Sequence, residues 1–373
     1  MIEGTVAMEG KRYSGIDLIK VIAVFFVISI HGLGMTHALA TNMAGARAFL
    51  ILLYRYMVMS CVPLFLIATG YLNGRKQLSL KFYKGILPVI SVYLFVCIFN
   101  VMYNFQHTKE ELTITAAVIS VFDFTANNYA WYVEMFIGLF LLIPFLNLTY
   151  HHLNSDREKI VLLATLLFLT VLPTVPETFQ TEEYQFNIFP RYFTSFFPVT
   201  YYFIGVWIRD KQPGFNKALN ALLLFLSILF PVLLEFAAAK GGEHVPWIMN
   251  GFNSLSACTI SFFIFLFFYR LEVKNRFLKW LLKDIARMTL SIYLFSNIVE
   301  KLLYPALGEP FRLYIPKMIV LVFVLSLVVS KLQTLLFDGV KKLFSLFRAK
   351  TAKDKNLYIS SCLKSDTTET DDM

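Results

Sequence analysis

Three ionisable side chains, Asp17, Lys20 and His31, lie in the first long apolar stretch of the chain, residues 16–38. An ionisable group at bilayer depth is costly enough to count as a functional hypothesis by default. Lys20 and His31 are eleven residues apart, and at about 100° per residue that step returns to within about 20° of the same helix face. With Asp17 beside Lys20, all three look into one groove, and His31 sits about 16 Å further along the helix than Lys20. Lysine is a good point-charge partner for phosphate, and histidine is the side chain best able to take a hydroxyl proton at neutral pH. The pattern suits a reaction in which a phosphate-bearing reactant enters from one membrane face and the chemistry occurs deeper. The competing reading is structural: Lys20 snorkels to headgroups with Asp17 as its ion-pair partner, and His31 bonds a neighbouring helix.

The elements that would position these groups follow from composition. Of 373 residues, 57% are hydrophobic and 16% charged, and the mean hydropathy is +0.62. That balance excludes a soluble enzyme and a disordered chain, and its apolar content covers at most about ten membrane helices. Apolar runs near 16–38, 48–72, 85–103, 129–148, 160–175, 192–208, 218–238, 250–269, 286–304 and 313–330 predict an all-α, polytopic bundle of about ten transmembrane helices. The fifth and sixth runs are short and bracket the polar stretch 175–191.

Orientation follows from Lys and Arg, which remain in cytoplasmic loops. With the N-terminus inside, the inner segments hold 25 of the 34 basic residues, so both termini are expected in the cytoplasm. The net charge of +9 then reflects topology, and no basic face interleaved with aromatics suggests nucleic acid as a partner. The small residues Ala38, Leu39 and Ala40 resemble a signal-peptidase site, but Asp17 and Lys20 and the length of the run favour an uncleaved span. The expected organisation is a cytoplasmic segment 1–13, a membrane domain 14–330, a basic amphipathic helix 331–350 on the anionic inner leaflet and a disordered tail 351–373. Extension of the tenth helix through 331–350 is the alternative.

The order of motifs resembles a known family. The stretch Ile16-Asp17-Leu18-Ile19-Lys20 through Ile30-His31 is similar to the first helix of the acyltransferase family three membrane proteins, where a basic residue, usually Arg, precedes His by ten intervening residues. Lys20 stands in place of that Arg, which keeps the charge but loses the bidentate fork. Pro63-Leu64-Phe65 leading to Gly70-Tyr71, Lys81-x-x-Lys84 before Pro88, Trp131-Tyr132 with Pro144, Tyr202-Phe203-Ile204-Gly205 and Ser291-Ile292-Tyr293-Leu294 resemble further family motifs in order over residues 14–330. After the last of these the family often has His, whereas this chain has Ser296 and Asn297. The resemblance implies ten spans with both ends inside, in the plasma membrane of a bacterium. It also implies acetyl or related acyl transfer from cytoplasmic acyl-CoA, a co-substrate rather than a resident cofactor, to a hydroxyl of a surface polysaccharide or lipid-linked glycan. It resembles the stand-alone members, without an appended esterase-like domain. Lys20 with Asp17, Lys81 and Lys84 would hold the donor, and His31 would act as general base or as a transient acyl carrier.

Arg55, Glu134, Glu235 and Arg191 fall toward the outer side, with Trp131, Tyr132, Tyr201 and Tyr202 near in depth or sequence. Arg55, Glu134, Trp131 and Arg191 are the expected acceptor-binding residues, and an interfacial aromatic belt with structural ion pairs is the alternative. His151 and His152 adjoin Asp156 without metal-ligand spacing, and His37, His107 and His244 stand singly, so no metal is expected. Neither a phosphate loop nor a dinucleotide fingerprint occurs. The outer-loop acids Glu110, Glu111, Asp123, Glu177, Glu182 and Glu183 are expected in solvated lids. A carrier for a lipid-linked glycan, with Arg55, Glu134 and His31 lining a pathway, is the second function class. His31→Ala separates the two, since an enzyme loses transfer while a carrier loses export.

Overall fold

The computed structural model describes residues 13–35, 45–107, 113–179, 188–214, 216–239, 249, 251–307 and 315–365. Lys11, Arg12, His37, Glu110, Glu111, Glu182, Glu183 and His244 lie outside the described residues, as do the side chains of Glu177 and of residues 346–365. Among the described residues every regular element is helical.

The elements run α1 (Ser14–Met35), α2 (Gly45–Val58), α3 (Cys61–Asn73), α4 (Leu80–Tyr83), α5 (Leu87–His107), α6 (Ile114–Phe122), α7 (Trp131–His152), α8 (Asp156–Thr170), α9 (Thr174–Glu177), α10 (Phe197–Lys211), α11 (Lys217–Ala239), α12 (Leu255–Phe268), α13 (Arg276–Arg287), α14 (Thr289–Leu307) and α15 (Ile315–Ser365). Among the described residues seven segments are long and apolar enough to cross a membrane: Ser14–Gly34, Gly45–Asn73, Leu80–His107, Trp131–His152, Asp156–Pro176, Lys217–Ala239 and Ile315–Ser345. The runs near 192–208 and 250–269 hold the shorter α10, of 15 residues, and α12, of 14. The run near 286–304 holds α14, of 19 residues, which carries Glu300 and Lys301.

The 48–72 run is broken. Pro63 has no N–H to give to the carbonyl four residues back, and the backbone turns at Met59 and Ser60, where the Ser60 hydroxyl donates to the Met57 carbonyl at 2.7 Å. The stretch 276–287, between two apolar runs, forms the amphipathic α13. Leu282, Ile285 and Ala286 are buried there, while Phe277, Leu278 and Trp280 are exposed, as on a helix lying at an interface.

α15 runs without a break to Ser365, through the stretch 331–350 and into 351–365, where a disordered tail was the expectation. An uninterrupted helix needs no stop signal to be absent by design: the segment simply contains no proline beyond Pro316 and one glycine, Gly339. The described chain divides into two units at Ser326 and Leu327.

In the first unit α1 is central, in contact with α2, α3, α12, α13 and α14. Its residues Ile19, Ala23, Val24 and Ile28 are fully buried. α3 and α10 cross closely because each places a glycine at the contact. A methyl at Gly70 would fall on the Tyr202 carbonyl, and one at Gly205 on the carbonyl of Ile67. The sequence motifs Gly70-Tyr71 and Tyr202 to Gly205 are therefore the two halves of one helix crossing.

One end of the bundle is tied together by polar groups. Arg209 donates to the carbonyls of Tyr71 and Leu72 at 2.7 and 3.0 Å. The Asn147 amide donates to those of Asn73 and Lys76, each at 2.8 Å. Lys159 pairs with Asp210 at 3.0 Å, and Lys211 with Asp156. Ser155 caps α8 reciprocally with Glu158. The Ser14 hydroxyl at the start of α1 donates to the Leu271 carbonyl at 3.0 Å, just past the end of α12.

Candidate active site

Lys20 lies half-buried on α1 and borders a cavity of about 270 Å³. Arg287, at the end of α13, borders the same cavity, and its walls include Phe65 and Thr69 of α3 and Phe136 of α7. Val27, Tyr132 and Tyr293 also line it. Val27 is two turns beyond Lys20 on α1, and His31 follows one turn later, about 6 Å further along the axis. Two cations thus share a mostly apolar cavity whose wall comes within one turn of His31. Asp17 is buried, 7% exposed, in the first turn of α1.

His31 rests against a tyrosine. Its imidazole stacks on the ring of Tyr129, with centroids 3.9 Å apart and planes 19° from parallel. Tyr129 in turn stacks on Tyr293 at 5.5 Å, and Tyr293 meets Tyr132 edge to face at 5.7 Å. Because Tyr132 and Tyr293 line the cavity, an aromatic wall leads from it to the histidine.

Tyr129 is held by three of its own groups. Its backbone N–H donates to Asn127 Oδ1 at 2.8 Å, its carbonyl accepts from the Tyr293 hydroxyl at 2.7 Å, and its own hydroxyl donates to Glu300 Oε2. Asn127 is fixed by its amide, which donates to the Leu294 carbonyl at 3.0 Å. The loop before α7 is therefore sewn onto α14. Gly32, next to His31, admits α14: a methyl there would sit 3.0 Å from the Tyr304 hydroxyl.

Glu300 is fully buried, as is Asn297 one turn earlier. Glu300 was not singled out from the sequence, although it lies within an apolar run and meets the criterion that singled out His31. Ser296 and Asn297, which stand where the family often has His, are both buried on α14.

The other expected site residues are distributed differently. Lys81 and Lys84 are exposed on the short turns before α5, where Ser79 caps α4, and they do not border the cavity, which α5 meets through Val89. Arg55 is 3% exposed and pairs with the fully buried Glu235 of α11 at 3.4 Å. The Tyr56 hydroxyl donates to the same carboxylate oxygen at 2.6 Å. Glu134 is exposed, Arg191 is half-buried, and Trp131 stacks on Phe252 at 5.5 Å. Arg55 is thus joined to α11 through Glu235.

Tyr201 and Tyr202 are fully buried and hydrogen-bonded to the Phe252 carbonyl and to Asn147. His151 meets the Gly74 carbonyl at 2.7 Å, and His107 and His152 meet carbonyls one turn back on their own helices. No group of three His, Cys, Asp or Glu side chains that could hold a metal occurs among the described residues.

No curated protein and no solved structure matches the chain. Residues 13–331 match the family model described as an acyltransferase domain, the same stretch that contains α1, the cavity and the His31 stack. The chain belongs to acyltransferase family three and is a multi-pass membrane acyltransferase.

Proposed function

We propose that the protein transfers an acetyl or related acyl group from cytoplasmic acyl-CoA to a hydroxyl of a surface polysaccharide or lipid-linked glycan, in a bacterial plasma membrane. The observation that carries this reading is the joining of a cation-bordered cavity to a histidine by one helix face and one aromatic wall. Lys20 and Arg287 attract the donor's phosphates at the cavity rim. The apolar walls at Val27, Phe65 and Tyr293 suit an uncharged thioester arm.

The proposed topology has ten crossings with both described ends of the membrane domain inside. α2 with α3 forms one crossing and the short α10 and α12 two more. The bonded end of the bundle supports it. The start of α1, the ends of α3, α7, α10 and α12 and the start of α8 all meet there, as alternation requires. That end carries the cationic segments and so faces the cytoplasm. His31 then lies beyond the midplane, where an acceptor from the outer face can approach.

In the transfer, the acceptor oxygen attacks the thioester carbonyl, a C–O bond forms and the C–S bond breaks. His31 takes the hydroxyl proton and returns it to the departing thiolate, or else carries the acyl group itself between donor and acceptor. Positioning both reactants in one dry site supplies much of the acceleration.

The test is transfer from labelled acetyl-CoA by the purified protein in nanodiscs, comparing wild type with His31→Ala and Lys20→Ala. The expected result is loss of transfer in the first and a raised donor KM in the second. A wild type that neither binds nor turns over acyl-CoA refutes the proposal. Label retained on acid-quenched protein given donor alone, and lost in His31→Ala, identifies the covalent route.

A further inference from the structure

We infer that Glu300 is a positioning residue for His31, acting through Tyr129; this rests on the transferase reading above. A working histidine is ordinarily aimed by a hydrogen bond from one ring nitrogen to a carbonyl or carboxylate. Here no hydrogen bond to either nitrogen of His31 is found among the described residues, and its defined contact is the stack on Tyr129 at 3.9 Å. Both nitrogens are thereby left for reactants, and the orientation of the imidazole depends on the orientation of the ring beneath it.

The backbone of Tyr129 is fixed by Asn127 and Tyr293. What remains is rotation of the side chain, and the hydrogen bond from its hydroxyl to Glu300 removes that freedom. Glu300 is suited to this because it is itself immobilised in α14, with no exposure. Its second oxygen, Oε1, has no hydrogen-bond partner among the described residues. A buried carboxyl that leaves an acceptor unsatisfied is an expensive way to fill space, and leucine would pack there at lower cost. Asn297, one turn earlier on α14, is likewise fully buried.

The ring also supplies a favourable face. When His31 takes a proton, the imidazolium lies flat on an aromatic surface whose hydroxyl is donated to a carboxyl, and positive charge over such a face is stabilised. The transfer step is otherwise unchanged: the proton passes from acceptor hydroxyl to imidazole to leaving thiolate, and Glu300 neither gains nor loses one.

The experiment uses the full chain in nanodiscs. It compares wild type with Glu300→Leu, Glu300→Gln, Tyr129→Phe and the double variant Tyr129→Phe/Glu300→Leu, by steady-state transfer and by NMR of histidine-labelled protein, with His31 assigned from its loss in His31→Ala. Glu300→Leu and Tyr129→Phe each lower kcat about a hundredfold, with donor and acceptor KM unchanged, the loss typical of a displaced general base. The double variant loses no more than either single one, because both break the same link. Glu300→Gln keeps an acceptor for the tyrosine hydroxyl and stays within about tenfold of wild type. The ring-current shift of the His31 resonance, present in wild type and Glu300→Gln, disappears in Glu300→Leu.

An unchanged His31 resonance in Glu300→Leu, or multiplying losses in the double variant, overturns the inference. Absence of acyl transfer by wild type overturns the transferase reading instead, and the resonance comparison still decides whether Glu300 orients His31.

Discussion

Neutralising Glu235 should destabilise the protein far more than removing the whole Arg55–Glu235 pair. Arg55 is 3% exposed and Glu235 is fully buried, and the two approach to 3.4 Å. Glu235→Gln keeps an acceptor for the Tyr56 hydroxyl, now bonded at 2.6 Å, but leaves a guanidinium without its counter-charge in a site shielded from water. Breaking one side of a buried pair costs roughly 3–5 kcal/mol, whereas replacing both charges is often close to neutral. Arg55→Met strands the carboxyl instead, which can take up a proton, so its cost falls toward the lower end of that range. In Arg55→Met/Glu235→Gln no charge remains, the tyrosine keeps its acceptor, and most of the loss is recovered. Denaturant unfolding in detergent, followed by tryptophan fluorescence, measures the four corners of this cycle; with single losses of roughly 3–5 and about 3 kcal/mol and a nearly neutral double variant, the coupling should amount to about 5 kcal/mol or more, above the usual range for contacting residues. Acceptor KM is measured on the same preparations. The reasoning is refuted if Glu235→Gln unfolds like wild type, or if Arg55→Met raises acceptor KM at unchanged stability, which would return Arg55 to the acceptor site.

Lys20→Ala and Arg287→Ala should each raise donor KM roughly tenfold with kcat retained, the lower end expected for one charge-assisted contact at a cavity rim, as read by initial-rate kinetics. Gly205→Ala should cost about 1–3 kcal/mol in the same unfolding assay, because the new methyl meets the backbone of Ile67, which cannot step aside as a side chain can. For Asp210, burial pushes the carboxyl up, but the Lys159 hydrogen bond and charge, aided by Lys211, hold it below the usual carboxylate range. Its contribution is therefore full above the ordinary carboxylate pKa and is lost as pH falls through the lowered value; unfolding measured from pH 3 to 7 should show an acid loss in wild type that Asp210→Asn lacks.

The fold was legible wherever apolar length alone decides. Each of the ten apolar runs contains a helix, and among the described residues seven segments are long and apolar enough to cross a membrane, where the backbone has few other ways to satisfy its hydrogen bonds. What periodicity missed was local: the break at Met59 and Ser60, set by Pro63, and α13, whose exposed Phe277 and Trp280 look like loop residues until the helix is seen. At the site, helical spacing put Asp17, Lys20 and His31 on one face; of these Lys20 borders the cavity, which Val27 extends to within one turn of His31. Tyr129 did not follow from spacing, because it belongs to no periodic element: it precedes α7 and owes its place to Asn127 and Tyr293, the latter 164 residues away. Glu300 could have been found by the rule that found His31. Its tyrosine partner, 171 residues distant, could not. The pairing of Arg55 with Glu235, 180 residues apart, was equally out of reach, although both charges were noted.

The buried ionisable groups consequently divide by what they face. Arg55 and Glu235 face each other and pin α2 to α11, so their charges are consumed within the bundle. Lys20 and Arg287 border the apolar cavity. His31 and Glu300 belong to neither kind: they flank one tyrosine, one stacked on its ring and the other bonded to its hydroxyl. A pair that existed only to join α1 to α14 would do so more directly as an ion pair, and the same helices already approach at Gly32 without one. Placing an aromatic ring between imidazole and carboxyl keeps the carboxyl from capturing the histidine nitrogens while still fixing the imidazole plane. In the proposed transfer that separation would leave the nitrogens available to a reactant hydroxyl, a purpose for the intervening tyrosine that helix packing alone does not supply.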